Sequence, residues 1–202
     1  MIRYINHHKT IAWLVALMLA MLVNGCATAP GGKKTVKSEE RQIVIVDDDV
    51  RDDFEQALTL LKKEEYDKAI ELLKKVIESE KRLPAPYVNL GMAYIKKGDN
   101  KLAEEYLHQA LALDLAHPVA NNELGLLYRK AGRFDDARKA YINALAEYPD
   151  YLPVRKNLAI LCDIYMRDQQ CALEQYEEYL KYAPEDKMVP IWIADLKRRM
   201  GQ

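Results

Sequence analysis

Asn89-Leu90-Gly91-Met92-Ala93-Tyr94 returns 34 residues later as Glu123-Leu124-Gly125-Leu126-Leu127-Tyr128. The same offset carries Gly98 onto Gly132, Ala103 onto Ala137 and Ala110 onto Ala144. A period of that length, with small residues at fixed places, describes two short helices per unit. One such pair cannot bury its apolar face alone and must stack on its neighbours, so the expected fold is an all-α solenoid. A solenoid offers a long recognition surface and, by itself, no catalytic pocket.

Projected outward, the period divides the chain. Two repeats occupy 84–117 and 118–151. Backward projection gives 50–83, where Ala57, Leu60, Tyr66, Ala69, Leu73 and Val76 fall in the matching places. Forward projection gives 152–186, with Leu158, Ala159, Tyr176, Tyr179 and Pro184 in phase once an extra residue enters the inter-helix turn near 167–170. That unit also lacks the turn glycine, Met166 standing in its place. Gly98 and Gly132 are expected to end first helices, where a left-handed backbone costs glycine nothing, and Pro149 and Pro184 to stop second helices. Residues 187–202 read as a capping helix, with Ile191, Ala194 and Leu196 covering the last repeat and Trp192 in the cap packing. An unpaired solenoid end would otherwise expose the core.

These residues resemble tetratricopeptide repeats. That resemblance implies a superhelical solenoid of about four helix-turn-helix repeats plus the cap. It also implies a close helix crossing at the small eighth residue of each unit, here Ala57, Gly91, Gly125 and Ala159, against Leu73, Leu107, Tyr141 and Tyr176. Ligands of the family touch the first helices on the concave face. Carried over place by place, that surface holds Phe54, Leu58, Leu61 and Lys62, then Val88, Met92, Ile95 and Lys96. It continues with Asn122, Leu126, Arg129 and Lys130, then Lys156, Ile160 and Asp163. The result is an apolar floor with basic groups gathering toward the later repeats, suited to an amphipathic helix or an extended segment with acidic flanks. Asn89 and Asn157 either bond a ligand backbone or satisfy an inter-helix turn. The terminal-carboxylate clamp of some family members is not matched, because Phe54 and Leu58 stand where its lysine and asparagine belong.

The N-terminus carries different information. Arg3 and Lys9 precede an uncharged apolar run from Ile11 to Val23, which is too short for a comfortable span of roughly 20 residues. The run closes on Val23-Asn24-Gly25-Cys26, which resembles the lipobox of bacterial lipoproteins, although Asn24 departs from it. The resemblance implies removal of 1–25 and lipidation of Cys26. Several acyl chains on one residue hold a protein stably on a membrane, where one chain does so only marginally. Ala27 in place of aspartate favours the periplasmic face of the outer membrane. Residues 26–42 then form a flexible tether. The segment 43–49, Ile-Val-Ile-Val followed by three aspartates, either packs on the first repeat or binds as an extended peptide.

Composition narrows the function. With 30 basic and 31 acidic residues there is no basic bias toward nucleic acid. No HExxH, CxxC, GxSxG or phosphate-loop pattern occurs, and the aspartates at 47–49 and 52–53 lack calcium-loop spacing. No enzyme activity, cofactor, metal or small-molecule substrate is therefore expected. Cys162 and Cys171 flank the turn of the fourth repeat, where they either form a disulfide in an oxidising compartment or remain two small buried thiols. The chain reads as an outer-membrane-anchored periplasmic adaptor that binds a protein or peptide partner. It resembles pilotin-type proteins and repeat proteins of TonB systems, with a cell-wall enzyme component as a weaker alternative.

Overall fold

The structure, a computed structural model, describes residues 46–202. Cys26, the leader, the tether and residues 43–45 lie outside the described residues. The repeat region is all helical, with no strand among the described residues. The helices are α1 (Asp48–Lys62), α2 (Tyr66–Ser79), α3 (Pro84–Lys97), α4 (Asn100–Leu113), α5 (Pro118–Lys130) and α6 (Phe134–Glu147). They continue as α7 (Leu152–Ile160), a π-helical run over Leu161–Met166, α8 (Gln169–Tyr182) and α9 (Val189–Arg199). Among the described residues no helix is long and apolar enough to cross a membrane.

The starts of these helices follow from local chemistry. Pro84 and Pro118 open α3 and α5, where a missing N–H costs nothing. Asp99 and Asp168 accept hydrogen bonds from the amides of Leu102 and Cys171, capping α4 and α8. Asp48 and Asp49 sit in the first turn of α1, where negative charge is mildly favourable. That helix therefore begins inside the segment read from sequence as a separate acidic stretch.

Each first helix packs on its own second helix and on the preceding unit, and the first helices also touch one another in succession: α1 with α3, α3 with α5, α5 with α7. They thus form one continuous inner wall. The buried core runs as a strip behind it. Ala57, Leu73, Leu90 and Ala103 fill its first part, and Leu107, Leu124, Tyr141, Leu158 and Tyr176 the remainder.

Why the eighth place must be small is visible at two positions. A Cβ on Gly125 would lie 2.2 Å from a ring carbon of Tyr141, and one on Gly91 would lie 2.6 Å from Leu107 Cγ. Both partners are fully buried and cannot move aside.

The fourth repeat differs from its sequence reading. Left-handed residues close the first helices at Glu64, Gly98, Gly132 and Arg167. The last interval is one residue longer than the others, so Arg167 and not Met166 occupies the turn position. The extra residue is not in the turn at 167–170. In repeats one to three the backbone N–H after the left-handed residue reaches back five residues, to the carbonyls of Leu60, Tyr94 and Tyr128. In repeat four Asp168 reaches back six, to Cys162. A widened helical turn over Leu161–Met166 has absorbed the insertion, which is how a π-bulge accommodates one added residue. A Cys162–Cys171 disulfide ties this run to the first turn of α8.

Candidate partner-binding groove

The inner wall combines an apolar floor with cations at the ends of the first helices because of what each first helix presents. Phe54, Leu58, Met92, Ile95 and Leu126 are half-buried, resting on the core while leaving part of their surface open. Lys62, Lys96 and Lys130 close the first helices of three successive repeats at the same place. They are exposed and make no ion pair among the described residues. Neighbouring lysines do: Lys97 pairs with Asp67, Lys75 with Asp53 and Lys68 with Glu65.

Several residues assigned to this surface by sequence are already engaged. Val88 is 3% exposed and belongs to the core cluster shared with the following repeats, so it cannot touch a partner. Asn122 is also buried. Its Oδ1 accepts from Asn157 Nδ2 at 2.8 Å and its Nδ2 donates to Glu123 at 3.1 Å, so these asparagines bind repeat three to repeat four. Asn89 donates to the Ala85 carbonyl within its own helix.

Lys156 is held by the cap. Its Nζ lies 2.9 Å from Asp186 and 5.2 Å from the ring centroids of both Tyr179 and Trp192. Asp186 also accepts from the amides of Met188 and Val189 and from the Tyr179 hydroxyl. Lys156 first, then those amides, hold its carboxyl well below the ordinary carboxylate range. Asp163 is buried and bonded at 2.6 Å to Arg199 of α9, while the Trp192 ring packs tilted against Tyr176, with centroids 5.7 Å apart. The basic end of the groove thus reduces to Arg129 and Lys130.

Arg129 lies with its guanidinium 5.6 Å from the Tyr165 ring centroid. Glu123, absent from the sequence-based set, accepts a hydrogen bond from Asn122. Burial raises its carboxyl pKa, partly offset by the bond from Asn122 and the charge of Lys96. Its position one place after Asn122 gave no signal.

Cys162, Asp168 and Cys171 bring their ligand atoms within 4.8 Å of one another, a grouping that could hold a metal ion. Here the sulfurs are bonded to each other, while Asp168 caps α8 and pairs with Arg138.

The 34-residue register, the small eighth residues and the inner wall of first helices together point to one repeat class. Residues 54–82 and 88–151 match family models described as tetratricopeptide repeat. The chain carries tetratricopeptide repeats. It is 26% identical over 191 residues to the type IV pilus assembly protein PilF of Pseudomonas aeruginosa, a match covering 93% of this chain and 73% of that relative. A solved structure of Pseudomonas aeruginosa pilF aligns with a TM-score of 0.66 at 24% identity, over 76% of this chain and 70% of that one. MamA from Desulfovibrio magneticus RS-1 aligns with a TM-score of 0.65 at 18% identity, over 78% and 88%. At these identities the structural likeness shows the fold. Tetratricopeptide repeats are typically protein-interaction scaffolds, which supports a protein or peptide partner for this chain.

Proposed function

We propose that this chain is a lipid-anchored adaptor on the periplasmic face of the outer membrane, which holds a protein partner in its groove during assembly of an envelope complex. The observation that carries the groove is a half-exposed apolar floor beside Lys62, Lys96 and Lys130, exposed cations that make no ion pair within 4 Å among the described residues. The anchor rests on the lipobox-like run ending at Cys26. Mechanistically, acylation confines the scaffold to a surface and the groove raises the partner's local concentration there. No catalytic step is assigned to the chain.

A role in pilus assembly is favoured over other envelope systems by one observation. The match to PilF extends over 93% of this chain and so reaches beyond the repeats themselves. On this reading the cargo is a subunit of a pilus-type machine that needs escort to the outer membrane.

Fractionation tests the anchor. The wild-type chain is expected with outer membranes and Cys26→Ala in the soluble periplasm; equal membrane association of both would reject it. Co-purification tests the groove: the paired change Lys96→Glu and Lys130→Glu should lose the partner recovered with wild type, and an unchanged partner profile would contradict the electrostatic part of the reading.

A further inference from the structure

Tyr141 is fully buried, yet its hydroxyl has no hydrogen-bond partner among the described residues, and neither has the buried Nη1 of Arg129. A buried donor without an acceptor is destabilising, and phenylalanine would fill the same space without that penalty. The two orphaned groups share one location: the Tyr141 ring packs at Gly125, and Arg129 follows Gly125 by one turn on the same face of α5. Burial is the main reason the Tyr141 hydroxyl titrates far above its usual range; Arg129 pulls it down, while Glu123 and Tyr165 push it up, so all three lie close enough to act on it.

Repeat four holds the same arrangement with its charges completed. Tyr176, the counterpart of Tyr141, is buried, and Asp163 stands at the place of Arg129. Both Asp163 and Arg199 act on the Tyr176 hydroxyl. Arg199, arriving from α9, closes the ion pair with Asp163. In repeats one and two the equivalent pairs are Leu61 with Leu73 and Ile95 with Leu107, which need no counter-charge. Only in repeat three does the inner wall pair a cation with a buried hydroxyl and supply no acid to complete them. The one acid nearby, Glu123, is engaged by Asn122 and Lys96, and its burial favours the neutral form.

We propose that Arg129 and Tyr141 form a carboxylate pocket at the junction of repeats three and four, which receives an acidic side chain of the partner segment lying in the groove. The pocket deepens the proposed groove function and rests on it. The incoming carboxylate does for Arg129 what Arg199 does for Asp163. It accepts from the guanidinium Nη1 and from the Tyr141 hydroxyl, both charge-assisted bonds in a site already removed from water. Further acids along the same segment meet Lys96 and Lys62, one repeat and two repeats away. The partner is therefore an acidic, partly apolar peptide and not a basic one.

The test uses the full chain and a defined probe. Isotope-labelled protein is titrated with N-acetylglutamate N-methylamide, with the glutamine analogue and with inorganic phosphate, reading the Arg129 Nε–H and Tyr141 ring resonances. The glutamate probe should shift both with saturation, the glutamine probe binding at least about tenfold more weakly. Arg129→Gln should abolish that preference. Tyr141→Phe should weaken it several-fold while the free protein unfolds at equal or higher denaturant concentration, a combination that a purely structural tyrosine would not give. Equal responses to glutamate and glutamine, no response to either, or tighter binding of phosphate would each overturn the assignment. If Arg129→Gln leaves intact a protein crosslink formed from a photoreactive residue at position 92, the pocket fails while the groove stands. If position 92 captures no protein in the wild-type chain, the groove reading itself fails.

Discussion

At the residue scale, the most demanding positions are those where two helices cross. Gly125→Ala places a methyl group 2.2 Å from the Tyr141 ring, which has no free volume to retreat into, so a loss of about 1–3 kcal/mol from overpacking is expected. Gly98→Ala meets no neighbour within 4 Å; its cost, about 1 kcal/mol, comes from the left-handed backbone alone. Urea midpoints of the two variants should therefore rank Gly125→Ala below Gly98→Ala, and the reverse order would remove the tight crossing from the account. These glycines are legible in sequence because no other residue does their work. Glu64 and Arg167, which hold the same left-handed turn in repeats one and four, are not legible, since side chains of any kind enter that region when the surrounding bonds enforce it. Lys156, Asn157 and Asp163 mislead for a related reason. Their partners, Asp186, Asn122 and Arg199, lie 30, 35 and 36 residues away, about one repeat, so the engagement appears only when successive units are stacked.

At the element scale, the fourth first helix and the cap carry the departures from the ideal repeat. Composition signals neither the widened turn over Leu161–Met166 nor its site, because a π-bulge uses the same residue types as the helix around it. What sequence does reveal is the added residue, through the phase of Ala172 and Tyr176. The disulfide closes this irregular run over a separation of nine residues. Replacing Cys162 and Cys171 together by alanine is expected to cost about 2–3 kcal/mol in the chain-entropy model. The loss should appear as faster amide exchange across 161–171, and protection equal to wild type would show that the bond contributes nothing. The cap depends on Asp186. Its carboxyl pKa is depressed by Lys156 and two amides, so its contribution is fully present above the ordinary carboxylate value and is lost as the pH falls below about 4 toward the depressed value. Trp192 emission, followed in a Trp13→Phe background, should report undocking of α9 in that acid range. In Asp186→Asn the loosened signal should already be present at neutral pH. Identical traces for both chains would rule out this carboxylate as the fastener.

At the scale of the whole molecule, function follows from a fold that cannot close on itself. Each first helix buries one side against its own second helix and another against the preceding unit, and its remaining side becomes part of the inner wall. The wall is apolar where Phe54, Leu58, Met92 and Ile95 stand and cationic where Lys96, Arg129 and Lys130 stand, a distribution that follows from the register of the repeats. Val88 shows the limit of that approach. The fifth place is half-open in α1, where Phe54 holds it, but buried in α3, and only the stacking of neighbouring repeats decides which. The central claim is that partners dock on the first helices and not on the outer second helices. The most direct measurement places a photoreactive residue at position 92 on the inner wall, or at exposed position 142 of α6, and compares crosslinking in cells. A discrete protein adduct from position 92, absent from position 142 and lost when Lys96 and Lys130 are changed to glutamate, is expected; adducts of equal strength from both positions, or from position 142 alone, would contradict it.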